Sequence, residues 1–127
     1  MMGRRSKNKG KMGECEVATL FRLALADLGL SDVKRGWQSR EGDDDPDVVV
    51  PEELGLHVEV KRQKVCGVRA ALRQAIRDAK PGRIPVAFCK DDQIGQYKDR
   101  TPPMVILRQD DFIDLMVENL KLKLENK

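Results

Sequence analysis

The sequence predicts an α/β domain with a central mixed β-sheet flanked by helices. Three observations support this fold class. The chain has 127 residues, which is enough for one hydrophobic core but not for two. Its apolar periodicity changes between the helical and the strand repeat, in the order helix, three strands, helix, two strands, helix. The segment at 64–84 is long enough to cross over between two parallel strands.

Helical periodicity predicts three helices. The first covers Glu14–Leu28 and is expected to stop at Gly29. The second covers Val68–Lys80 and ends at a Pro-Gly pair, which cannot continue a helix. The third covers about Phe112–Leu124, where several aspartates near the start favour the positive end of the helix dipole.

Five strands are predicted from short apolar or alternating runs bounded by turn residues. They cover Val33–Arg40, Val48–Val50, Leu56–Gln63, Ile84–Cys89 and Pro103–Leu107. The third of these alternates apolar and polar residues along its whole length, and the fourth is apolar enough for the centre of a sheet. Together with the helices, these strands give the mixed sheet.

Charge is gathered into blocks although the net charge is only +3. Residues 1–12 contain five basic residues and no acid, so we expect a basic flexible arm there, followed by a single domain over residues 13–127. Residues 61–83 are strongly basic, whereas residues 41–53 contain seven acids and no base. This segregation favours a protein that binds a polyanion on one surface and concentrates carboxylates elsewhere.

Several classes of protein are disfavoured by composition. No apolar run approaches the roughly 18 to 20 residues of a membrane span, and the basic N-terminus leads into no secretory apolar segment. Cys15, Cys66 and Cys89 form no CxxC pair, and His57 is the one histidine, so neither a zinc site nor a catalytic triad is favoured. We expect reduced, buried thiols in a cytoplasmic protein that does not contact a membrane.

The alternating strand carries the first candidate chemistry. One of its faces is apolar, and the other presents His57, Glu59, Lys61 and Gln63 in a row. A half-exposed strand gives the same alternation, so its neighbours decide the interpretation. A turn after the preceding short strand would bring Asp47 close to Glu59. Two carboxylates in a partly dry site repel unless a cation lies between them, and such oxygen ligands favour Mg²⁺ or Mn²⁺.

The first helix supplies a third acid. At about 100° per residue, Glu14 lies in register with the apolar stripe that includes Val17, Ala18, Phe21 and Leu25. An acid on a core-facing stripe requires a partner. The alternative is that Glu14, at the helix start, interacts with the helix dipole and points into water.

Four short elements then occur in order: Gly10-x-x-x-Glu14, Pro46-Asp47, Glu59-Val60-Lys61 and Ile84-Pro85-Val86. In this order and spacing they resemble the archaeal-type Holliday junction resolvases of the PD-(D/E)XK nuclease superfamily, over roughly residues 9–90. The resemblance implies a restriction-endonuclease-like sheet with flanking helices, a homodimer and magnesium-dependent cleavage of four-way DNA junctions.

The resemblance also implies roles for individual residues. By motif, Glu14 matches the acid of the first helix, Asp47 the motif aspartate, Glu59 the motif glutamate and Lys61 the motif lysine. Gln63 resembles a polar residue that often follows the lysine in wider members of the superfamily. We expect Lys61 to orient the attacking water or to stabilise the phosphate charge, with help from Gln63.

The expected cofactor is Mg²⁺, for which Mn²⁺ can substitute. Asp47 and Glu59 are expected to bind it directly, together with the Val60 carbonyl, while Glu14 binds directly or through water. Residues 43–45 are also aspartates and are alternatives to Asp47.

The expected partner is branched double-stranded DNA, bound through its phosphates because few aromatic residues are present for base stacking. The basic residues expected to contact it are Arg4, Arg5, Lys7, Lys9, Lys11, Arg62, Lys64, Arg69, Arg73, Arg77 and Lys80. The closing helix has more apolar residues than one core-facing stripe requires, which is consistent with a homodimer interface or with simple burial in a small core plus scattered exposed leucines.

Two other functions remain open from the sequence. The first is a repair or restriction-type nuclease of the same superfamily that acts on ordinary duplex. The second is a basic DNA-binding protein without catalytic activity. Magnesium-dependent cleavage separates both nucleases from the binding protein, and preference for a junction over duplex separates the two nucleases.

Overall fold

The computed structural model describes the backbone of residues 4–36, 46–92 and 102–126, with side chains from residue 10 onward in these ranges. Within these ranges the fold is α/β, with a five-stranded mixed sheet flanked by three helices. The predicted fold class and the predicted order of elements are therefore confirmed. None of the helices in the described ranges is both long enough and apolar enough to cross a bilayer.

The three helices are α1 (Arg4–Leu25), α2 (Val68–Asp78) and α3 (Gln109–Glu125). A single 3₁₀ turn prolongs α1 and ends at Gly29, as predicted. The predicted start of the first helix at Glu14 is wrong, because α1 already begins at Arg4. The Arg, Lys and Met residues around the two early glycines favour a helix, so the glycines do not interrupt it. From Arg4 onward, the basic block that was predicted to be an arm is therefore part of α1.

The five strands are β1 (Lys34–Arg35), β2 (Val48–Val49), β3 (Leu56–Gln63), β4 (Ile84–Asp91) and β5 (Met104–Ile106). They lie in the sheet in sequence order. Only β3 and β4 are parallel within the described sheet, and α2 connects them, as the length of the crossover predicted. The first strand was predicted over Val33–Arg40 but covers Lys34–Arg35 in the described part, and residues 37–40 of the prediction lie outside the described residues.

The sheet has a separate hydrophobic cluster on each face. On one face, Val17 and Ala18 of α1 pack with Val58 and Val60 of β3. On the other face, α2 packs through Ala71 against the alternate residues of β4. Both faces of β3 are therefore covered, which explains why His57 and Glu59 of its polar row are buried rather than exposed to water.

Gly13 allows α1 to approach β3 closely. A Cβ atom at this position would lie 3.2 Å from the Cβ of Arg62 and 3.3 Å from Cγ1 of Val60. These distances are tighter than ordinary contacts, so a side chain would push the helix away from the sheet. Glu14, the next residue, is thereby held close to β3.

Two predicted features differ in the structure: the burial of Cys15 and the core-facing stripe of the closing helix. Cys66 and Cys89 are buried as expected, but Cys15 is exposed because it lies on the solvent side of α1. None of the residues of α3 is buried. The large apolar side chains that α3 exposes are Phe112, Ile113, Met116, Val117, Leu120, Leu122 and Leu124.

Candidate active site

The carboxylates of Asp47 and Glu59 meet at the edge between β2 and β3. Val48 pairs with Val58 across these antiparallel strands, and the Asp47 N–H donates to the Val58 carbonyl (2.9 Å). Because the strands are antiparallel, Asp47, one residue before Val48, lies opposite Glu59, one residue after Val58, and both side chains leave the sheet on the same face. The charge of Glu59 and an interaction between the two side chains both raise the pKa of Asp47, so the two carboxyl groups lie close together. The predicted proximity of these two acids is present in the structure.

A close backbone contact fixes the position of Asp47. The Gly36 N–H donates to the Asp47 carbonyl (2.8 Å), immediately after β1. A Cβ atom on residue 36 would lie 1.7 Å from the carbonyl oxygen of Pro46, which no side chain tolerates. Glycine at this position therefore allows the chain to approach the Pro46-Asp47 segment and hold it against β3.

The environment of Asp47 opposes its ionisation. Burial and the negative charge of Glu59 raise the pKa of Asp47 from 3.8 to about 8. The Val60 N–H, which donates to Oδ2 of Asp47 (2.8 Å), opposes this rise because it stabilises the carboxylate. Asp47 therefore retains its proton to a higher pH than an ordinary aspartic acid does.

His57 is a member of this site that the sequence analysis did not assign. It lies on the same face of β3 as Glu59, and its Nε2 is 2.9 Å from Oε1 of Glu59. Both side chains are almost completely inaccessible to solvent. The strand alternation could have indicated this residue, because it placed His57 two positions before Glu59 in the polar row.

Glu14 comes to the same region from α1. It is buried, and its Oε2 accepts from Nη2 of Arg35 at 3.3 Å. Burial raises the pKa of Glu14, while the charge and hydrogen bond of Arg35 act in the opposite direction. Glu59 and Lys61 also act on this pKa, so both lie within electrostatic reach of Glu14. Arg35 was not assigned from the sequence, since nothing in the strand pattern distinguishes it from a surface residue.

Lys61 shares the face of the sheet that carries the acids. The parallel register places Glu59 beside Ala87 and Lys61 beside Cys89. Ala87 and Cys89 pack against Ala71 of α2, and laterally paired residues project to the same face. Glu59 and Lys61 therefore project toward the face that α2 covers.

The remaining predicted site residue of β3 lies further away. Gln63 is exposed at the end of the strand, where its carbonyl accepts from the Asp92 N–H (2.7 Å). The structure thus places Asp47 close to Glu59, with Glu14 and Lys61 within electrostatic reach, and Gln63 lies beyond them at the end of β3. The alternative ligands at residues 43–45 lie outside the described residues.

The donor set suits a hard divalent cation in its chemistry. Two buried carboxylates in contact repel each other when both are ionised, and a cation between them removes this repulsion. Among the described side chains, no group of three or more His, Cys, Asp or Glu residues is arranged to hold a metal ion. Asp47 and Glu59 are the residues that fit such an ion, and further ligands would be backbone oxygen, as at Val60, or water.

Most basic residues predicted to contact DNA lie on accessible surface where they are described. Arg69, Arg73 and Arg77 are exposed on α2, opposite its buried alanines, and Lys80 is exposed two residues after the end of the helix. Lys11 on α1 and Lys64 after β3 are also exposed. The side chains of Arg4, Arg5, Lys7 and Lys9 lie outside the described residues.

Arg62 was predicted to contact DNA phosphate, but in the structure its guanidinium group donates to acidic side chains of the protein. Its Nη1 donates to Oε1 of Glu16 (2.7 Å), and its Nε donates to Oδ1 of Asp92 (2.8 Å). Lys90 also donates to Glu16, at 3.1 Å. Arg62 alternates with Lys61 and therefore projects to the α1 face, where these acids are. Its guanidinium connects α1 to the ends of β3 and β4.

Comparisons of the chain with protein-family models, with curated proteins and with solved structures found no match. The functional argument therefore depends on the geometry of the site itself.

Proposed function

We propose that the protein is a metal-dependent, structure-selective DNA endonuclease that cleaves four-way junctions by phosphodiester hydrolysis. The contact between the Asp47 and Glu59 carboxylates carries this proposal, with Lys61 two residues further along the same face. A protein used only for binding gains nothing from two buried acids in contact, because the arrangement destabilises the fold.

Hydrolysis of a phosphodiester requires a positioned water and compensation of the negative charge that develops on the phosphate. When bound, Mg²⁺ supplies charge compensation and activates water. Asp47 and Glu59 would hold it, and Glu14 lies within electrostatic reach of both acids. Lys61 is half-buried beside them, so its ammonium group would orient the water or stabilise the phosphate.

The location of α2 supports DNA as the substrate. The stripe of Arg69, Arg73, Arg77 and Lys80 lies on the helix that covers the catalytic face of the sheet. The positive charge is thus on the same side as the acids, where it attracts DNA backbone toward them. Arg62 is not part of this proposed surface, because Glu16 and Asp92 already bind it.

Selectivity for four-way junctions is proposed from the resemblance, together with a homodimer. The apolar side chains of α3 recur at helical spacing and none is buried, so a second copy would cover them. A two-fold symmetric pair would present two active sites, one for each of the two strands cut at a junction.

A cleavage assay tests the function. Wild type, Asp47→Asn and Lys61→Ala are incubated with a four-way junction and with linear duplex of equal length, with Mg²⁺ or with chelator. We expect wild type to cut the junction only with Mg²⁺, and both variants to lose cutting while still binding DNA in low salt. The exposed Asp32→Asn and Lys121→Ala variants serve as matched controls and should cut normally.

The outcomes separate the candidates. Equal cutting of junction and duplex would favour a repair or restriction-type nuclease, and binding without Mg²⁺-dependent cutting would favour a non-catalytic DNA-binding protein. Unchanged cutting by Asp47→Asn would remove Asp47 from the metal site and leave the aspartates at 43–45 as the alternative.

A further inference from the structure

A cavity lined by both polar and apolar residues lies beside the carboxylate pair, at the N-terminal half of β3. Its volume is about 220 Å³, and Pro46, His57, Lys80, Arg83 and Glu52 are among its lining residues. The space is large enough for a phosphate group with its water. None of the roles assigned so far uses this cavity.

Two lining residues connect the cavity directly to the proposed active site. His57 contacts Oε1 of Glu59 through Nε2 at 2.9 Å, so its ring lies between the cavity and the acids. Pro46 precedes Asp47 in the chain. A group bound in the cavity is therefore separated from the carboxylates by about one side chain.

The charges in the cavity favour an anion. Lys80 is exposed at the end of the α2 stripe, and Arg83 is half-buried, with one guanidinium nitrogen 3.4 Å from the Leu56 carbonyl. Glu52 is the acid that faces them: its Oε1 lies 3.5 Å from Nη2 of Arg83, and its side chain is 89% exposed. Such a long, exposed ion pair is weak, so an incoming phosphate can replace the carboxylate.

We propose that this cavity binds a backbone phosphate of the DNA strand, adjacent to the phosphate that is cleaved, through Lys80 and Arg83. The inference rests on the proposed function, which it deepens: the cavity connects the positive stripe on α2 to the reaction centre and positions the strand. Arg83 was absent from the predicted DNA-contacting residues, because in the sequence it lies beyond the helix that carries the stripe.

The salt dependence of DNA binding tests this proposal. Affinity for a four-way junction is measured between 50 and 200 mM salt, with chelator present so that cleavage does not interfere. Each lost phosphate contact reduces the slope of log K against log salt by about 0.9. We expect Arg83→Gln and Lys80→Gln each to show this reduction, with roughly tenfold weaker binding at the lower salt concentration. Lys121→Gln, an equal change of charge on α3, should keep the wild-type slope.

Two further variants show whether a reduced slope reflects a lost phosphate contact or a loss of folding. Arg83→Lys retains the charge and should restore the slope. Glu52→Gln removes the competing carboxylate from an exposed position and should bind the junction more tightly than wild type. Single neutral methylphosphonates are also placed at successive positions of the DNA strand. At one position next to the cut, this change should weaken junction binding by wild type but not by Arg83→Gln.

Different experimental outcomes would contradict this proposal and the proposed function. If wild type binds and cuts junctions but Arg83→Gln and Lys80→Gln keep the wild-type slope, the cavity is not a phosphate site and the nuclease assignment stands. If wild type shows no salt-dependent DNA binding, both proposals fail.

Discussion

Substitution of Asp47 by asparagine is expected to stabilise the metal-free protein while it abolishes metal binding. Asparagine resembles the protonated acid: its oxygen can accept from the Val60 N–H, and its amide can donate to Glu59. The variant therefore keeps the contacts that Asp47 makes when protonated and cannot acquire the second negative charge.

The magnitude follows from the raised pKa. The pKa of Asp47 is about 8 in the folded protein and 3.8 in the reference state, so between these values the folded protein holds a proton that the unfolded chain has released. The free energy of unfolding of wild type therefore decreases as pH rises through this window. At about 1.4 kcal/mol per pH unit, the upper limit is roughly 6 kcal/mol. Relaxation of the two carboxylates away from each other reduces this, and we expect about 2 to 4 kcal/mol.

The assay is urea unfolding at pH 5 to 9 with chelator, for wild type, Asp47→Asn and Asp32→Asn. Asp32 is an exposed aspartate and controls for the loss of one carboxylate. The stability advantage of Asp47→Asn should grow up to about pH 8 and then level off. Added Mg²⁺ should stabilise wild type and leave Asp47→Asn unchanged, because only ligands that prefer the folded state stabilise it. An advantage that does not change with pH would refute the contact between the two acids.

Three other predictions concern regions outside the acid pair. Arg62→Ala should lower the free energy of unfolding by about 1 to 3 kcal/mol in denaturant titrations, because it removes the guanidinium group that donates to Glu16 and Asp92; a change confined to DNA affinity would contradict this. Val117→Glu on α3 should convert a homodimer into monomers in sedimentation, whereas a wild type that is already monomeric would contradict the proposed interface. Cys15 should react rapidly with a thiol reagent at pH 8, while Cys66 and Cys89 should react only after unfolding. The reason is that burial raises the pKa of both buried thiols, and that of Cys89 to about 11. Rapid reaction of all three thiols in the folded protein would contradict the buried placement.

Local periodicity was sufficient to predict most of the fold. The bounds of β3 agree with the prediction at both ends, because strict alternation and flanking turn residues define a strand locally. The predicted start of α1 was wrong because glycines are weak signals of a helix boundary in a sequence that otherwise favours a helix. Gly13 is there for a different reason, the close approach to β3, and that reason is visible only after the elements have packed.

The candidate site was partly predictable for the same reason. Asp47, Glu59 and Lys61 could be predicted because strand geometry determines which side chains share a face. His57 satisfied the same rule but was not assigned, since alternation cannot show that a polar side chain is buried against a neighbour. Arg35 required knowledge of how β1 lies relative to α1, which no local pattern contains.

The arrangement of the acids also explains how the site is maintained without a cation. Three elements contribute one acid each, and in each case another group reduces the cost of burial: Arg35 for Glu14, the Val60 N–H for Asp47 and His57 for Glu59. Each of these contacts compensates only part of the cost of burial, because the pKa values of Glu14 and Asp47 stay raised. A divalent cation held by Asp47 and Glu59 would favour the ionised form of Asp47. The binding of such an ion would therefore strengthen with pH as Asp47 loses its proton.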